Sequence, residues 1–575
     1  LPSAKSIAML TTFQNAFIEL KAIIEERKYD ILSNFSLDVP TGFNWVRDVF
    51  EPLIVEKNAD RIMLELVSDE PIEPALLTYQ EGLQKCNQLL NLLRAKGVKQ
   101  GDRVFTMCGL DPGLWISYLT AIKGGYVLIP AASILTVDDL MYRFQVASPG
   151  VFIADKENAG KIEQALLSYN DACVKLLLDG KREGWISLHE LGGFKKDAVA
   201  ADTKRDEDLF WFFTSGTTGM PKVVAHTHAS YPLGHLTTAA WIGLGRLDKH
   251  YNISQPGWAK FAWSSVFAPL NFGATIFVYK ASGRFMPAKQ LKIIQDHGIT
   301  TLCAPPTALR MLIQENLAGF QFSLRECVSA GEPLNAEIIK IWKDGTGIEL
   351  RDGYGQTEST CLISNLPGSN IRFGSMGKPA FLYSIVIADE HGGELPLHET
   401  GQVAVRMQKN RFSGIFKSYV GDAEREKDVF KHGLYYTGDK AYKDEDGYFW
   451  FVGRDDDVIK SSDYRIGPFE IESVLLEVDE IVESAVVGSP HPIRGQEVKA
   501  FIVLTQGTTP SNELAHKIFS YSREHLAHYK VPRLLEFVSE LPKTISGKIR
   551  RVELRASEEK RKASKEKCPN EYPIG

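Results

Sequence analysis

The sequence predicts an α/β protein, with a large N-terminal domain of helix-covered sheets followed by a small, mobile C-terminal α/β domain. Three observations carry that expectation. Helix and strand patterns alternate through the first half, as parallel sheets with covering helices require. The 575 residues exceed what one hydrophobic core organises, so at least two domains are expected. Near residue 453 the composition shifts: Gly453-Arg454-Asp455-Asp456-Asp457 reads as a charged hinge, and a shorter α/β series follows it. The domains are therefore drawn as 1–453 and 454–575.

Each element has its own signal. Leu1 to Lys28 spaces apolar residues at helical intervals among charged ones, which suits an amphipathic helix docked on the core better than a targeting peptide. Leu83, Cys86, Leu90 and Leu93 share a helix face that stops at Gly97. Arg103 to Met107 reads as a strand and Trp115 to Ile122 as a helix; Tyr126 to Pro130, Gly150 to Ala154 and Val174 to Leu178 read as strands. The pattern resumes at Ala274 to Tyr279, Thr300 to Ala304 and Glu326 to Ala330. Beyond the strand Tyr448 to Val452 and the hinge, Ile471, Val474, Leu475 and Val478 stripe a helix. Ala485 to Val487 and Ala500 to Leu504 are strand-like, Lys517 to Leu526 is helical, and Leu534 to Val538 is the closing strand. Glu558 to Lys567 is charge-dense and reads as a solvated helix end.

Hydrophobic residues at 44% and charged residues at 24% describe a globular enzyme. A formal net charge of −6 argues against a nucleic-acid partner, whose phosphates call for a basic surface. The 7 cysteines form no C-x-x-C pair, which fits a reducing compartment and excludes a disulfide framework or zinc ribbon. No apolar run approaches the ~20 residues of a membrane span. The expected compartment is the cytoplasm, or the mitochondrial matrix if an upstream presequence has been removed.

Thr214-Ser215-Gly216-Thr217-Thr218-Gly219-Met220-Pro221-Lys222 narrows function most. Its hydroxyls, and the backbone N–H groups its glycines leave free, suit phosphate oxygens. It is not the common P-loop, which opens a helix with Lys-Ser/Thr. Here the apolar run Leu209 to Phe213 enters the loop, and Val223-Val224-Ala225-His226 leaves it as a strand. Taken alone, such a stretch is an ordinary Ser/Thr/Gly turn. Further motifs follow it in order: Asp352-Gly353-Tyr354-Gly355-Gln356-Thr357-Glu358, Tyr436-Thr437-Gly438-Asp439, Gly453-Arg454, and Pro542-Lys543-Thr544-Ile545-Ser546-Gly547-Lys548.

With these motifs, and with Gly374 to Pro379 and Asp446 to Phe449 beside them, the chain resembles the adenylate-forming superfamily, most closely its medium-chain acyl-CoA synthetases. The resemblance implies ATP-dependent ligation of a carboxylic acid to coenzyme A, with Mg2+ as cofactor. By resemblance, Thr214, Ser215, Gly216, Thr217, Thr218, Gly219 and Lys222 hold the β- and γ-phosphates, and Glu358 is the Mg2+ ligand, a hard oxygen donor for a hard cation. Ala330-Gly331-Glu332-Pro333 and Asp352-Gly353-Tyr354 frame the adenine, and Gly355, Gln356 and Thr357 belong to the same ATP site; Asp439 accepts both ribose hydroxyls, and Arg454 also reaches the ribose. Lys548, Thr217, Glu358 and Asp456 form the catalytic set. Lys548 bridges the attacking carboxylate and the α-phosphate, and Asp456 is the hinge about which the small domain rotates between half-reactions. Without the motif, Lys548 would be a solvated loop cation and Asp456 surface filler.

For CoA the resemblance implies Ser462, Asp463, Tyr464, Arg465, Arg494 and Lys530, the cations meeting its phosphates. As surface charges they would be unremarkable. Asp463 departs from the family, which carries glycine beside the pantetheine channel; added bulk and negative charge there would slow the thioester step and leave adenylation intact. The acyl pocket is expected to involve His226, Trp258, Lys260, Ala262, Gly331 and Gly355. Acetate and propionate enzymes resembling this chain carry tryptophan at the Gly355 position, so glycine predicts room for a longer, branched or ring-bearing acid. Trp258 is open between pocket gate and core packing. Lys260 is either a snorkelling surface lysine or a group facing the acid, and His226 either a pocket wall or a satisfied core histidine.

Rival readings are an adenylating enzyme that loads a carrier protein, a luciferase-type oxygenase, and a non-catalytic nucleotide-binding regulator. No carrier domain is fused, and Lys548 and Glu358, which a regulator would be expected to lose, are present. Homodimerisation is the oligomeric state admitted.

Overall fold

The computed structural model describes all residues except 1–3, 70–72, 170–171, 215–220, 409–411, 462–463, 545–547, 565, 567 and 575, and the elements and counts below are of the described residues. Two large sheets organise the N-terminal part. An 8-stranded sheet runs Ser418–Tyr419, Lys222–Thr227, Asp208–Thr214, Val127–Ala131, Arg103–Met107, Val151–Ala154, Val174–Leu177, Ile186–Ser187. It is parallel from Asp208–Thr214 onward, as the helix–strand alternation requires, and antiparallel where Asp208–Thr214 turns back into Lys222–Thr227 and where Ser418–Tyr419 adds to that strand. A 9-stranded sheet is parallel from Ile62–Ser68 through Thr275–Lys280, Lys249–Asn252, Thr301–Cys303 and Glu326–Ser329 to Leu350–Gly355.

Apolar helices fill the space against these sheets. Pro112–Gly124 starts at the Asp111 cap, whose carboxylate accepts from Gly113 N, and is buried on every face from Gly113 onward. Its Trp115 indole donates 2.7 Å to Ser265 O, inside another buried helical stretch. Leu236–Ile242 is likewise buried throughout. The N-terminal helix Ala4–Glu25 docks as its spacing predicts, with Phe13, Phe17, Leu20 and Ile24 in the main core. Past its end, Arg27 pairs with Glu326, which also meets the fully buried Arg351 at 2.6 Å.

A 5-stranded antiparallel sheet built around Gly401–Arg406 and Leu434–Lys443 leads to the strand Phe449–Arg454. Beyond it lies a 6-stranded sheet with its own hydrophobic cluster, including Ile471, Leu475, Val486, Ile502, Ile518 and Leu535. The chain is thus mixed α/β with a large N-terminal and a small C-terminal domain. The small lobe's first helix, Pro468–Leu475, ends before Val478, which is buried past the helix end. The next helix begins earlier than its apolar pattern, at Asn512, because the Ser511 hydroxyl caps Leu514 N.

One expectation is overturned. The charge-dense C-terminal stretch is not solvated at its start: Glu558, on the helix Arg551–Ser564, is 1% exposed. Its carboxylate accepts from Ser489 Oγ at 2.7 Å and from Lys499 Nζ at 2.8 Å. Lys499 is fully buried and needs several anions to remain charged there, which Glu536, Glu558 and Glu571 supply.

Candidate active site

The hydroxyl-rich segment is flanked by a β-hairpin. Thr214 ends one strand, Lys222 starts the other, and the two are register partners. Ser215, Gly216, Thr217, Thr218 and Gly219 lie outside the described residues. At the hairpin's open end, Lys222 Nζ lies 2.5 Å from Glu358 Oε1. The Tyr419 hydroxyl donates to the same oxygen at 2.9 Å and accepts from Lys222 at 3.0 Å. Among the described residues the buried Thr214 hydroxyl has no hydrogen-bond partner. The buried Glu358 carboxylate and the Thr214 hydroxyl, at the open end of the hairpin, are oxygen donors that suit a hard cation with phosphate oxygens, so Mg2+ fits this end of the site.

Leu350–Gly355 carries the adjoining residues. Asp352 pairs with Ser329 in register, which puts the Asp352 to Gly355 run beside the loop Gly331-Glu332-Pro333. Burial drives the Asp352 carboxyl well above its ordinary pKa, and nearby Lys260 opposes the rise. Gly331 has φ +107°, a left-handed conformation that favours glycine. Asp439 and Arg454 face each other across antiparallel strands, so the two residues expected at the ribose are neighbours. One Asp439 oxygen is already held, by the Tyr354 hydroxyl at 2.6 Å and by the Gln356 amide. Gln356 is fixed in turn by Thr437 O and Tyr435, and the Thr357 carbonyl lies 2.7 Å from His226 Nε2. Burial raises the Asp439 pKa, and the Arg454 charge is the leading influence against it.

Lys548 comes to this place from the small lobe. Thr544 N donates to Lys548 O at 2.7 Å and Lys548 N to Thr544 Oγ1 at 3.0 Å. The side chain is exposed, yet the surrounding protein lowers its pKa. Glu332, Asp439 and Glu358 oppose that fall and Arg454 adds to it, so the amine stands within electrostatic reach of the nucleotide residues of the other lobe. The lobes also touch directly, Asn335 Nδ2 donating to Ser473 O at 3.1 Å. Asp456 is exposed at the junction, 3.6 Å from Arg454.

The acyl residues divide. Gly257, at φ +93°, lets the chain pass where any side chain would collide with the Ala131–Ala132 backbone, and this pins half-buried Trp258 beside that strand end. Ala262 is buried. His226 proves to be a satisfied core histidine: it is fully buried, bonded to Thr357 O, and its ring packs 4.3 Å from that of Tyr231. Burial brings its pKa down to about 4. Lys260 is no snorkelling surface lysine. Its amine is buried without a partner, its stem lies 3.7 Å from where a Gly331 Cβ would stand, and burial lowers its pKa.

Gly355 stands against bulky neighbours. The room freed by glycine is filled by this chain's own Trp263, whose Cη2 lies 2.3 Å from where a Gly355 Cβ would sit. Trp241 packs against Gly353 in the same way, 2.4 Å from the corresponding position. Two indoles thus pack beside this strand, and the Thr360 carbonyl oxygen comes as close to the Gly355 Cβ position as Trp263 does, 2.3 Å.

On the small lobe, Ser462 and Asp463 lie outside the described residues. Tyr464 stacks on Tyr529 at 4.3 Å, and each is followed in sequence by an expected CoA cation, Arg465 and Lys530. Gly495 pairs with Ser461, which sets the backbone of Arg494 next to that strand. Lys530 meets Glu470 at 2.5 Å. Tyr419, Trp241 and Trp263 escaped the sequence reading because each meets its partner across a long stretch of chain, with no motif marking it. The positions of Trp241 and Trp263 could have been sought by asking what fills the space against Gly353 and Gly355.

Comparison with known proteins agrees over both lobes. Residues 55–420 match the model of the AMP-binding enzyme family and residues 470–548 that of the AMP-binding enzyme C-terminal domain. A 4-hydroxybutyrate–CoA ligase 1 of Metallosphaera sedula is 48% identical over 532 residues, covering 92% of this chain and 93% of that protein. The mouse mitochondrial acyl-coenzyme A synthetase ACSM3 is 39% identical, covering 91% and 92%. Among solved structures, an anthranilate CoA ligase, AuaEII, in complex with anthranoyl-AMP superposes with a TM-score of 0.83 at 29% identity, over 92% of this chain and 99% of that one.

Proposed function

Because the chain belongs to the AMP-binding enzyme family and is an acid:CoA ligase that uses ATP, Mg2+ and CoA, we propose that it activates a short to medium carboxylic acid carrying an oxygen substituent, between its two lobes. In the first half-reaction a carboxylate oxygen attacks the α-phosphorus and pyrophosphate leaves. Asp439 accepts the ribose hydroxyls with the oxygen that Tyr354 and Gln356 do not hold. Lys222 and the Thr214 hydroxyl hold phosphate oxygens, and Lys548 steadies the charge that moves between carboxylate and phosphate. Mg2+ held at Glu358 supplies shielding of the triphosphate charge. In the second half-reaction the small lobe turns about Asp456, the CoA sulfur attacks the acyl carbonyl, and AMP leaves. Tyr464, Arg465, Arg494 and Lys530 receive the CoA nucleotide.

The observation that carries this reading is the contact of the lobes beside the nucleotide residues: Asn335 Nδ2, two residues past Gly331-Glu332-Pro333 on the large lobe, donates to Ser473 O of the small one at 3.1 Å. The acid is narrowed by Lys260. An ammonium group buried without a partner beside Gly331 calls for an oxygen acceptor, and a Trp263-filled floor disfavours a long alkyl chain. The relative named for 4-hydroxybutyrate supports the same class.

A panel of C2 to C10 straight, branched, aromatic and hydroxy acids, assayed for AMP release with and without CoA, tests it. Turnover is expected to need CoA, and a four-carbon hydroxy acid should exceed butyrate by about tenfold in kcat/KM. A preference rising steadily with apolar chain length would defeat the substrate assignment. We further propose that Asp463 slows thioester formation; Asp463→Gly should speed CoA-dependent turnover and leave pyrophosphate exchange unchanged, and no change in turnover would remove the idea.

A further inference from the structure

We propose that Tyr419 is a positioning residue of the nucleotide site: its hydroxyl holds Lys222 and Glu358 together as a charge-neutral latch, which metal and triphosphate open jointly and neither opens efficiently alone. The proposal rests on the placement of ATP and Mg2+ given above.

The three groups form a closed ring of contacts. Lys222 Nζ is 2.5 Å from Glu358 Oε1, and the Tyr419 oxygen is 2.9 Å from that carboxylate oxygen and 3.0 Å from the amine. A tyrosine hydroxyl has one proton to give and lone pairs to receive with, so it donates to the carboxylate while accepting from the ammonium. The lysine also lies over the Tyr419 ring, 4.5 Å from its centroid. Neither charge has bulk water to fall back on: the Glu358 side chain is 9% exposed and that of Lys222 21%.

Tyr419 is fixed independently of the pair. Its two-residue strand, Ser418–Tyr419, pairs with Val224 and Ala225, two and three residues beyond Lys222. Its amide donates to Glu426 Oε1 at 3.0 Å, its carbonyl accepts from Asp422 N at 3.1 Å, and its ring packs 4.7 Å from that of Phe416. The Phe416 amide in turn donates 2.8 Å to the Glu358 carbonyl. The hydroxyl is therefore held in place before any ligand arrives.

The electrostatic consequence follows from charge counting. If a triphosphate alone draws Lys222 away, Glu358 is left as an unpaired, poorly hydrated anion facing an incoming anion. If a divalent cation alone approaches Glu358, it competes with an ammonium already seated on the carboxylate, and Lys222 is left unpaired. Metal and triphosphate arriving together exchange one neutral arrangement for another, the lysine turning to phosphate and the carboxylate to metal. Removing the hydroxyl loosens the pair and should weaken the coupling between metal and nucleotide.

The test is equilibrium binding without turnover. Dissociation constants for ATP are measured by calorimetry with excess Mg2+ and with chelator, for the unaltered chain and for Tyr419→Phe, which keeps the ring. The ratio of the two constants is expected to fall at least about threefold in Y419F, chiefly because metal-free ATP binds better, with thermal midpoints matched. Parallel weakening of both constants, or no change in their ratio, would assign Tyr419 to packing and overturn the latch. Binding of Mn2+ alone, followed by electron paramagnetic resonance, is the second measurement. Affinity should rise at least about threefold in Lys222→Met, where Glu358 is released; an unaltered affinity overturns the proposal. If the unaltered chain fails to bind ATP even with Mg2+, the placement of ATP falls and takes the latch with it, whereas normal ATP binding with an unmoved ratio sinks the latch alone.

Discussion

The two halves of the site treat charge in opposite ways. In the nucleotide half, the charged groups already have protein partners. Lys222 sits on Glu358 under the Tyr419 hydroxyl, and Asp439 is held by Tyr354 and Gln356 and faces Arg454. In the acyl half, the Lys260 amine is buried with no hydrogen-bond partner among the described residues. A paired site is pre-oriented, and a ligand enters it by exchanging one set of bonds for another. An unpaired buried donor is costly until a ligand satisfies it, so it selects the ligand that carries the missing acceptor. The first half thus favours a common substrate handled in one geometry. The second favours discrimination among acids.

The largest effect expected separates binding from chemistry within the nucleotide half. Lys548→Ala should reduce acid-dependent pyrophosphate exchange by about 10³-fold, as loss of a donor aimed at developing charge does, while ATP still binds. A variant that exchanges normally would place the lysine outside the reaction. Next comes Asp439→Ala, which removes the ribose acceptor and leaves the Tyr354 hydroxyl and Gln356 amide without their partner. A loss of about 10²-fold in kcat/KM for ATP is expected, carried mainly by KM. A fall confined to kcat would show that the paired half is tuned to the transition state and not to the nucleotide.

The contrast between halves was unequally legible in the sequence. The parallel strands, the buried helices and the separate small lobe follow from local periodicity, which one chain displays openly. The nucleotide residues sit in contiguous motifs, so Asp352 to Glu358 and Tyr436 to Asp439 could be assigned from order alone. What fills the acyl half could not. Gly355 reports only what its own side chain lacks, while Trp263, distant in sequence, packs against it. Lys260 looked like a surface lysine because its neighbours in sequence do not reveal burial, and the same blindness hid the Lys499–Glu558 pair of the small lobe. Tyr419 was missed for a related reason: it enters the site through two residues of strand pairing, too short a segment to carry a pattern.

The smallest effect bears most directly on the contrast. Lys260→Met keeps the length and apolar stem of the side chain and removes the unpartnered amine. If the acyl half discriminates through that amine, kcat/KM for a four-carbon hydroxy acid should fall by about tenfold, while butyrate is unaffected or improves. ATP affinity should change far less than the discrimination between acids, because Lys222, Glu358 and Asp439 have partners that do not involve Lys260. The folded protein should also gain stability, since the cost of an unsatisfied buried donor disappears. Those two signs distinguish recognition from architecture: a lysine that only supported the pocket wall would lower stability when replaced and would depress both acids together. A parallel loss on both substrates, with a lower melting temperature, would erase the distinction between a paired nucleotide half and a selective acyl half.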